Sequence, residues 1–406
     1  MRHRIKRVAL LALTALMAGA LFAGAAEAKK KKPKPVSVNV MTRNIFLGAD
    51  LGPGLNANSF HDFIEGNGEI LREVDLTNFP ARAQGLAQEI TEKKPDFIGL
   101  QEVALWRTGA PYPGYAQSSD PSATFQATTV KYDFLALLQA ELQARGMNYT
   151  VAVEKPEFDF EAPTDYNDVD DDAPASMGGG NAANDEGPNS FDDAEITGRL
   201  TMRDVILVRD KKGVKFKNPI SGSYQNLYTP NISGIDVPVT RGWTAVDATV
   251  TKGKGKKKRK AKFDFVNTHF EAFDDETQTP SIRALQAQEL TSGGGTYAEG
   301  PASGKKVVLV GDFNSNVPGV QPGDQQAFQT LLDAGFSRRS TQVPASCCVP
   351  SVLTGPATEF DHVVDHVLSN SRKVKQVKSS VTGLTPANGY FNSDHAGVFS
   401  KLKIKK

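Results

Sequence analysis

The chain is poor in the residues that most readily reveal a protein's business. Its 406 residues include two cysteines, two tryptophans and six histidines, and Lys plus Arg outnumber Asp plus Glu by only one. The cysteines are adjacent, Cys347 and Cys348, so they close no long loop, and C-x-x-C metal spacing is absent. A vicinal disulfide and a buried reduced pair are the two states left open. A net charge near zero names no partner. With tryptophan only at positions 106 and 243, an aromatic hairpin that dips into lipid has few candidates. No stretch after Ala26 is apolar enough to span a bilayer, and no internal repeat is present.

What is present begins with a basic head, Arg2 to Arg7, an apolar stretch, Val8 to Ala26, and the small-x-small pattern Ala26–Glu27–Ala28. This predicts a secretory signal peptide over 1–28, cleaved near Ala28, and a secreted, extracellular product; an uncleaved anchor is the alternative. Residues 29–35 are a stiff, basic Lys/Pro linker. Residues 36–406 are expected to form one domain, because candidate site residues run from Asn44 to His395 and any cut would separate them. Two segments look like weakly ordered surface insertions: Thr108 to Thr129, and the acidic, Gly-rich Glu154 to Glu195. The acidic run 165–172 lacks EF-hand spacing.

Periodicity predicts strands at Val36–Val40, around Phe97, at Tyr149–Val153, Thr201–Val208 and Phe360–Leu368, and a hairpin of Trp243–Val250 with Lys262–Asn267. It predicts helices from Pro80 to Lys93, over Tyr132–Leu142, and from Pro280 through Leu290. Without strict βαβ alternation, this mixture implies a layered α/β fold with helices outside paired sheets. The informative detail lies at the strand ends. Val307–Val310 terminates in Gly311–Asp312–Phe313–Asn314, Phe97–Leu100 in Gln101–Glu102, and Phe263–Val266 in Asn267–Thr268–His269. Ser393–Asp394–His395 precedes a last short apolar segment. A carboxylate buried without a partner is costly, so these groups must compensate one another. One shared polar site at a sheet rim, holding a hard divalent cation and a phosphate, accounts for all of them.

In this order, Arg43–Asn44–Ile45, Gln101–Glu102, Asn267–Thr268–His269, Gly311–Asp312–Phe313–Asn314–Ser315, Val364–Asp365–His366 and Ser393–Asp394–His395 resemble the endonuclease/exonuclease/phosphatase superfamily. That group includes deoxyribonucleases, neutral sphingomyelinases and inositol-polyphosphate 5-phosphatases. The opening Met41–Leu51 is similar to that of extracellular bacterial members. The resemblance implies a four-layer sandwich, two stacked mixed β-sheets flanked by helices, and a Mg²⁺-dependent phosphodiesterase, with Mn²⁺ or Ca²⁺ as substitutes.

Residue by residue, it implies Glu102, Asn44 and Asp394 at the metal, Asp312 and Asn314 positioning the attacking water and the phosphate, and His269 on the phosphate or leaving group. His395 with Asp365 would form the carboxylate–imidazole dyad, and Arg203 would contact the substrate phosphate. The general base is left between Asp312 and His395, and the ion count between one and two. The expected substrate is nucleic acid; a sphingomyelinase or phospholipase C-like activity, or an inactive binding module, is the alternative. No obligate protein partner is implied. Taken singly, each residue has a duller reading: Glu102 as an ordinary ion-pair carboxylate, His269 and His395 as structural histidines. His362 reads as incidental to His366, and Lys252–Lys262 as a solvated hairpin tip rather than a phosphate contact.

Overall fold

The alternation in Val36–Val40 buries Val36, Val38 and Val40 on one face of a strand, Val36–Asn44, that becomes a central element of a nine-stranded sheet. In this computed structural model, residues 34–167, 194–273, 279–292, 305–320, 323–341, 344–387 and 389–406 are described. The expected signal peptide, residues 29–33 of the expected linker and the acidic run from 168 fall outside them. Pro35–Lys406 forms one compact unit.

The first sheet orders its strands as Val374–Thr382, Gly397–Ile404, Val36–Asn44, Phe97–Gln101, Ile196–Arg209, Leu105–Gly109 and Thr129–Asp133, with Tyr149–Thr164 also paired to Ile196–Arg209. Val36–Asn44 and Phe97–Gln101 are parallel neighbours, which sets Asn44 beside Gln101. The second sheet runs Ser337–Arg338, Asp365–Ser369, Val307–Asp312, Arg259–His269, Gly242–Lys252 and Val214–Ser223. Arg259–His269 and Val307–Asp312 are parallel with His269 opposite Asp312, and Asp365 pairs across from Asp312 on the other side. Register alone therefore gathers three of the expected site residues.

The sheets stack through Val38, Val40, Phe97, Ile206 and Val208 on one inner face and Val246, Phe263, Phe265, Val308 and Val310 on the other. Each large side chain so buried is worth about 1.5–3 kcal/mol. Helices Phe60–Leu76, Phe79–Lys93 and Phe134–Ala144 supply Leu71, Val74, Leu86 and Leu138 to the core outside the first sheet. Ile282–Ser292 and Gln326–Asp333 cover the second with Leu290, Phe328 and Leu331. The result is the expected α/β four-layer sandwich.

Near the site end the sheets are tied by a polar bridge as well: Asn267 donates to the Leu100 carbonyl at 3.1 Å and accepts from Gln101. Gly99 makes room for it, since a Cβ there would lie 2.3 Å from Asn267 Oδ1.

Two expectations are corrected. Glu154–Thr164 is not a loose insertion but the second part of a 16-residue strand, Tyr149–Thr164. Its acids are held: Glu161 accepts from the Gln126 and Ala127 N–H groups, and Glu157 pairs with Lys155. Thr108–Thr129 likewise begins in one strand, ends in another and contributes Ala116–Gln117 between them. The helix Phe60–Leu76 was not anticipated, because Gly66–Asn67–Gly68 interrupts its pattern; Gly68 is required there, as a Cβ would sit 1.6 Å from the Asp165 carbonyl oxygen. It starts at Ser59, whose hydroxyl accepts from the Asp62 N–H at 3.0 Å.

Candidate active site at the strand ends

Asp312 closes the Val307–Asp312 strand and is almost fully buried. Its Oδ2 lies 3.0 Å from Asn44 Nδ2, 3.4 Å from His395 Nε2 and 3.7 Å from His269 Nε2. Asn44 donates from the same nitrogen to Glu102 Oε1 at 2.7 Å. Its Oδ1 accepts from the Phe46 N–H at 2.9 Å, so the amide orientation is fixed by the backbone. Glu102 Oε2 accepts from the Leu47 N–H at 2.9 Å, while Oε1 comes within 4.0 Å of His269 Nε2. Glu102 and Asn314 both adopt the left-handed backbone region, at φ 55° and 46°. For Glu this costs on the order of 1 kcal/mol or more, and such conformations concentrate where a side chain must be aimed.

The two histidines differ. Arg241 NH1 stands 3.2 Å from His269 Nδ1, and a guanidinium has only donors to offer. Nδ1 therefore accepts, and the ring proton sits on Nε2, toward Asp312 and Glu102. Burial, followed by the charge of Arg241, pulls the His269 pKa down to about 3, so the ring is neutral. Asn314 Nδ2 lies 3.1 Å from Nε2 but donates to the Phe270 carbonyl; with the ring proton on Nε2 both atoms are donors, so the two are in contact without a hydrogen bond between them.

His395 Nδ1 meets Asp365 Oδ2 at 2.9 Å. Burial works against its charge, but Asp365, Asp312 and Asp394 outweigh burial and raise its pKa well above the ordinary value, so it carries the proton. For Asp312, burial favours the neutral acid; His395, His269 and hydrogen bonds from the Asn314 N–H and Asn44 outweigh it and hold the carboxyl below its usual range. Asp394 is pushed up to about 7, first by burial and then by Glu102 and Asp312. That crowding of negative charge is what a cation relieves, and the carboxylate oxygens of Glu102 and Asp394 suit a hard divalent ion. Asn44, expected as a third ligand, instead turns its NH2 group toward Glu102 and Asp312 and orients those carboxylates.

The expected site residues thus converge with one exception. Arg203 is buried and its guanidinium is occupied, donating to the Val103 and Ala104 carbonyls, Asp133 and Glu154. It braces the backbone behind Glu102 with four of its five N–H donors engaged and its side chain only 4% exposed, which corrects the substrate-contact expectation.

Residues without an expected role complete the site. Arg241 fixes the His269 tautomer. Arg43 makes a two-point pair with Glu89 and donates to the Asn44 and His395 carbonyls, joining two strand-end segments. Arg82 donates to the Ile45, Phe46 and Asn392 carbonyls. Cys347 and Cys348 form a vicinal disulfide, with Cys348 Sγ 3.8 Å from His395 Nε2. His362 pairs with its neighbour Asp361, away from this cluster, and His366 is buried against the Ser315 carbonyl.

A four-layer α/β sandwich with a carboxylate, amide and histidine rim at its strand ends is the architecture of metal-assisted phosphoester hydrolases. The pattern defining the Endonuclease/Exonuclease/phosphatase family matches residues 55–395, and the chain belongs to that family, whose members hydrolyse phosphoester bonds and generally use divalent metals. An endonuclease/exonuclease/phosphatase family protein from Bacteroides thetaiotaomicron shares the fold at 14% identity and TM-score 0.50, over 92% of this chain and 100% of that one. A Bacteroides vulgatus protein of the same description aligns at 14% identity and TM-score 0.48, over 91% and 100%. A Bacteroides thetaiotaomicron mannosyl-6-phosphatase aligns at 14% and 0.47, over 90% and 99%. No curated protein matches the chain.

Proposed function

We propose that this chain is a Mg²⁺-dependent phosphodiesterase acting on nucleic acid outside the cell. The observation that carries the reading is the position of Asp312 Oδ2, within 3.7 Å of Asn44, His269 and His395 at once. An ionised carboxylate beside one neutral and one protonated imidazole is an arrangement for moving a proton next to a phosphate.

Glu102 and Asp394 would hold the ion, with Asn44 orienting Glu102; the ion would supply neutralisation of charge on the phosphoryl oxygens. Asp312, kept ionised, accepts the proton of the attacking water. His395 is already protonated, so it donates to a phosphoryl oxygen instead of serving as base; Asp365 holds its Nδ1 and sustains the charge. His269, neutral with its proton on Nε2, donates to a phosphate or leaving-group oxygen, and Asn314 positions the same group. Such preorganised donors supply most of the barrier reduction in phosphoryl chemistry, and a placed base adds about 10²- to 10⁴-fold.

A phospholipid substrate is less well supported. Both tryptophans, Trp106 and Trp243, are buried, so neither is placed to enter a bilayer. The deciding experiment offers the purified protein DNA, RNA, sphingomyelin and inositol phosphates side by side with Mg²⁺. Cleavage of DNA or RNA that stops in excess EDTA supports the reading; turnover unaffected by EDTA, or confined to lipid, overturns it.

A further inference from the structure

The outer face of the second sheet changes character along its strands. Where helices Ile282–Ser292 and Gln326–Asp333 cover it, it presents Trp243, Ala245, Val266 and Leu309. Farther along, the face is bare and forms a groove of about 460 Å³ lined by Lys215, Lys217, Lys260, Lys262, Lys305 and Lys306. Register places Lys215, Thr249 and Lys262 in one row across three strands, and Lys217, Asp247 and Asp264 in the next. The two aspartates are occupied by Lys305, whose Nζ stands 4.0 and 3.8 Å from them. Among the described residues, no carboxylate is an ion-pair partner of Lys215, Lys217, Lys260 or Lys262. Like charges sharing one face of a sheet repel. The crowding continues around this end: burial and then Lys373 depress Lys306 despite the attraction of Asp264, while burial, Lys211, Lys401 and Arg259 depress Lys252 despite the attraction of Asp96.

We propose that this groove is a second binding surface, for the phosphate backbone of nucleic acid, separate from the catalytic rim; the inference rests on the polynucleotide reading of the substrate. Lysines two residues apart on a strand lie about 6.6 Å from each other, and rows on adjacent strands about 4.8 Å, a grid that meets successive phosphates. The aromatic rings at the groove are not exposed for stacking: Phe263 is buried and Phe216 half-buried. Recognition is therefore of backbone, without base preference. The hairpin tip, Gly253–Lys258, carries only Gly and Lys, with nothing apolar to enter a bilayer. Lys262 precedes His269 by seven residues on one strand, about 23 Å. A long chain held in the groove presents its other segments to the rim at raised effective concentration, whereas a short diester gains nothing.

The test uses the full protein in EDTA, so that binding is read without cleavage, with a labelled single-stranded 30-mer and with vesicles containing anionic lipid. The variant Lys215→Ala/Lys217→Ala/Lys260→Ala/Lys262→Ala is expected to lose at least tenfold in DNA affinity. Its salt dependence should flatten by about 0.7 in log–log slope for each lysine removed. With Mg²⁺, its KM for long DNA should rise at least tenfold while hydrolysis of bis(p-nitrophenyl) phosphate stays unchanged. Wild-type DNA affinity in the variant overturns the inference, as does binding of vesicles but not DNA, or an equal loss on the small diester. If wild type binds DNA through the groove yet cleaves only the small diester, the groove stands and the substrate reading falls.

Discussion

The strand Arg259–His269 has two ends that meet opposite electrostatic problems. At the His269 end, Asn267, Thr268 and His269 are buried and each is hydrogen-bonded within the protein. At the other, Lys260 and Lys262 are exposed and share their face with other lysines. A buried polar group left unpaired is expensive, so the interior end is closed on itself, and its chemistry depends on geometry already set. An exposed ammonium is solvated whether or not it has a partner, so the far end tolerates like charges and keeps them free for something outside. The two ends should therefore respond differently to substitution: large losses of rate at the rim, and losses confined to long, charged ligands at the groove.

The most severe break of that contrast is removal of Glu102 or His395. Glu102→Ala and His395→Ala are each expected to lower kcat by 10³-fold or more, about 4 kcal/mol of transition-state stabilisation, with the circular-dichroism spectrum and thermal midpoint close to wild type. Wild-type turnover in both variants would remove the rim from the mechanism.

A step smaller is Arg241→Gln. Loss of the obligate donor at Nδ1 frees His269 to place its proton on either nitrogen, and relieves the positive charge that helps depress its pKa. We expect kcat to fall about 10- to 100-fold, within the range of general acid–base effects. Nitrogen NMR should report a mixed tautomer and a His269 pKa above that of wild type. An unchanged tautomer would mean that the carboxylates of Asp312 and Glu102, which face Nε2, set the ring rather than Arg241.

What could be read from the chain follows the same division. Strand ends were legible because an apolar run stopping in a carboxylate or imidazole is visible without knowing the partner, as at Leu100–Gln101–Glu102 and Val310–Gly311–Asp312. The partners were not. Arg43, Arg82 and Arg241 act through contacts with carbonyls and side chains distant in sequence, and a buried arginine leaves no periodic mark. Arg203 shows the converse error: an arginine inside an apolar strand can face a ligand or brace a backbone, and only its four occupied acceptors decide. Composition misled at Glu154–Thr164, where acids suggested solvent but strand pairing and backbone N–H groups hold them. The helix over Phe60–Leu76 was hidden by glycines kept for close chain approach.

Two buried carboxylates sharpen the comparison through pH. Histidines hold Asp312 ionised, whereas Glu157, with Lys155 Nζ 3.0 Å away, is still pushed up to about 7 because burial outweighs the ion pair. A raised acid binds its proton more tightly in the folded state. Its stabilising contribution is complete below the ordinary Glu value of about 4.5 and is lost as pH rises through about 7. Asp312, held low, acts in the opposite sense: its contribution is present above the usual carboxylate pKa and lost on acidification. Between pH 5 and pH 8 the wild-type thermal midpoint should therefore fall more than that of Glu157→Gln. Parallel curves for the two proteins would show that Glu157 is ionised throughout.

The smallest expected effect lies at the groove itself. Lys305→Ala removes a cation that stands near both Asp247 and Asp264, but its side chain is 42% exposed and the ion pairs are 3.8 and 4.0 Å long. Exposed pairs of this kind contribute about 0–1 kcal/mol. The thermal midpoint should drop by about 2 °C or less, and kcat on a small diester should not move, since the substitution lies near the end of the sheet opposite His269. DNA affinity, by contrast, should fall more than the loss of one phosphate contact explains, because Asp247 and Asp264 then stand beside the lysine rows without the charge of Lys305. A drop no larger than that of Lys215→Ala would mean that the aspartates play no part in the groove's potential, and that the contrast between its two rows is one of position alone.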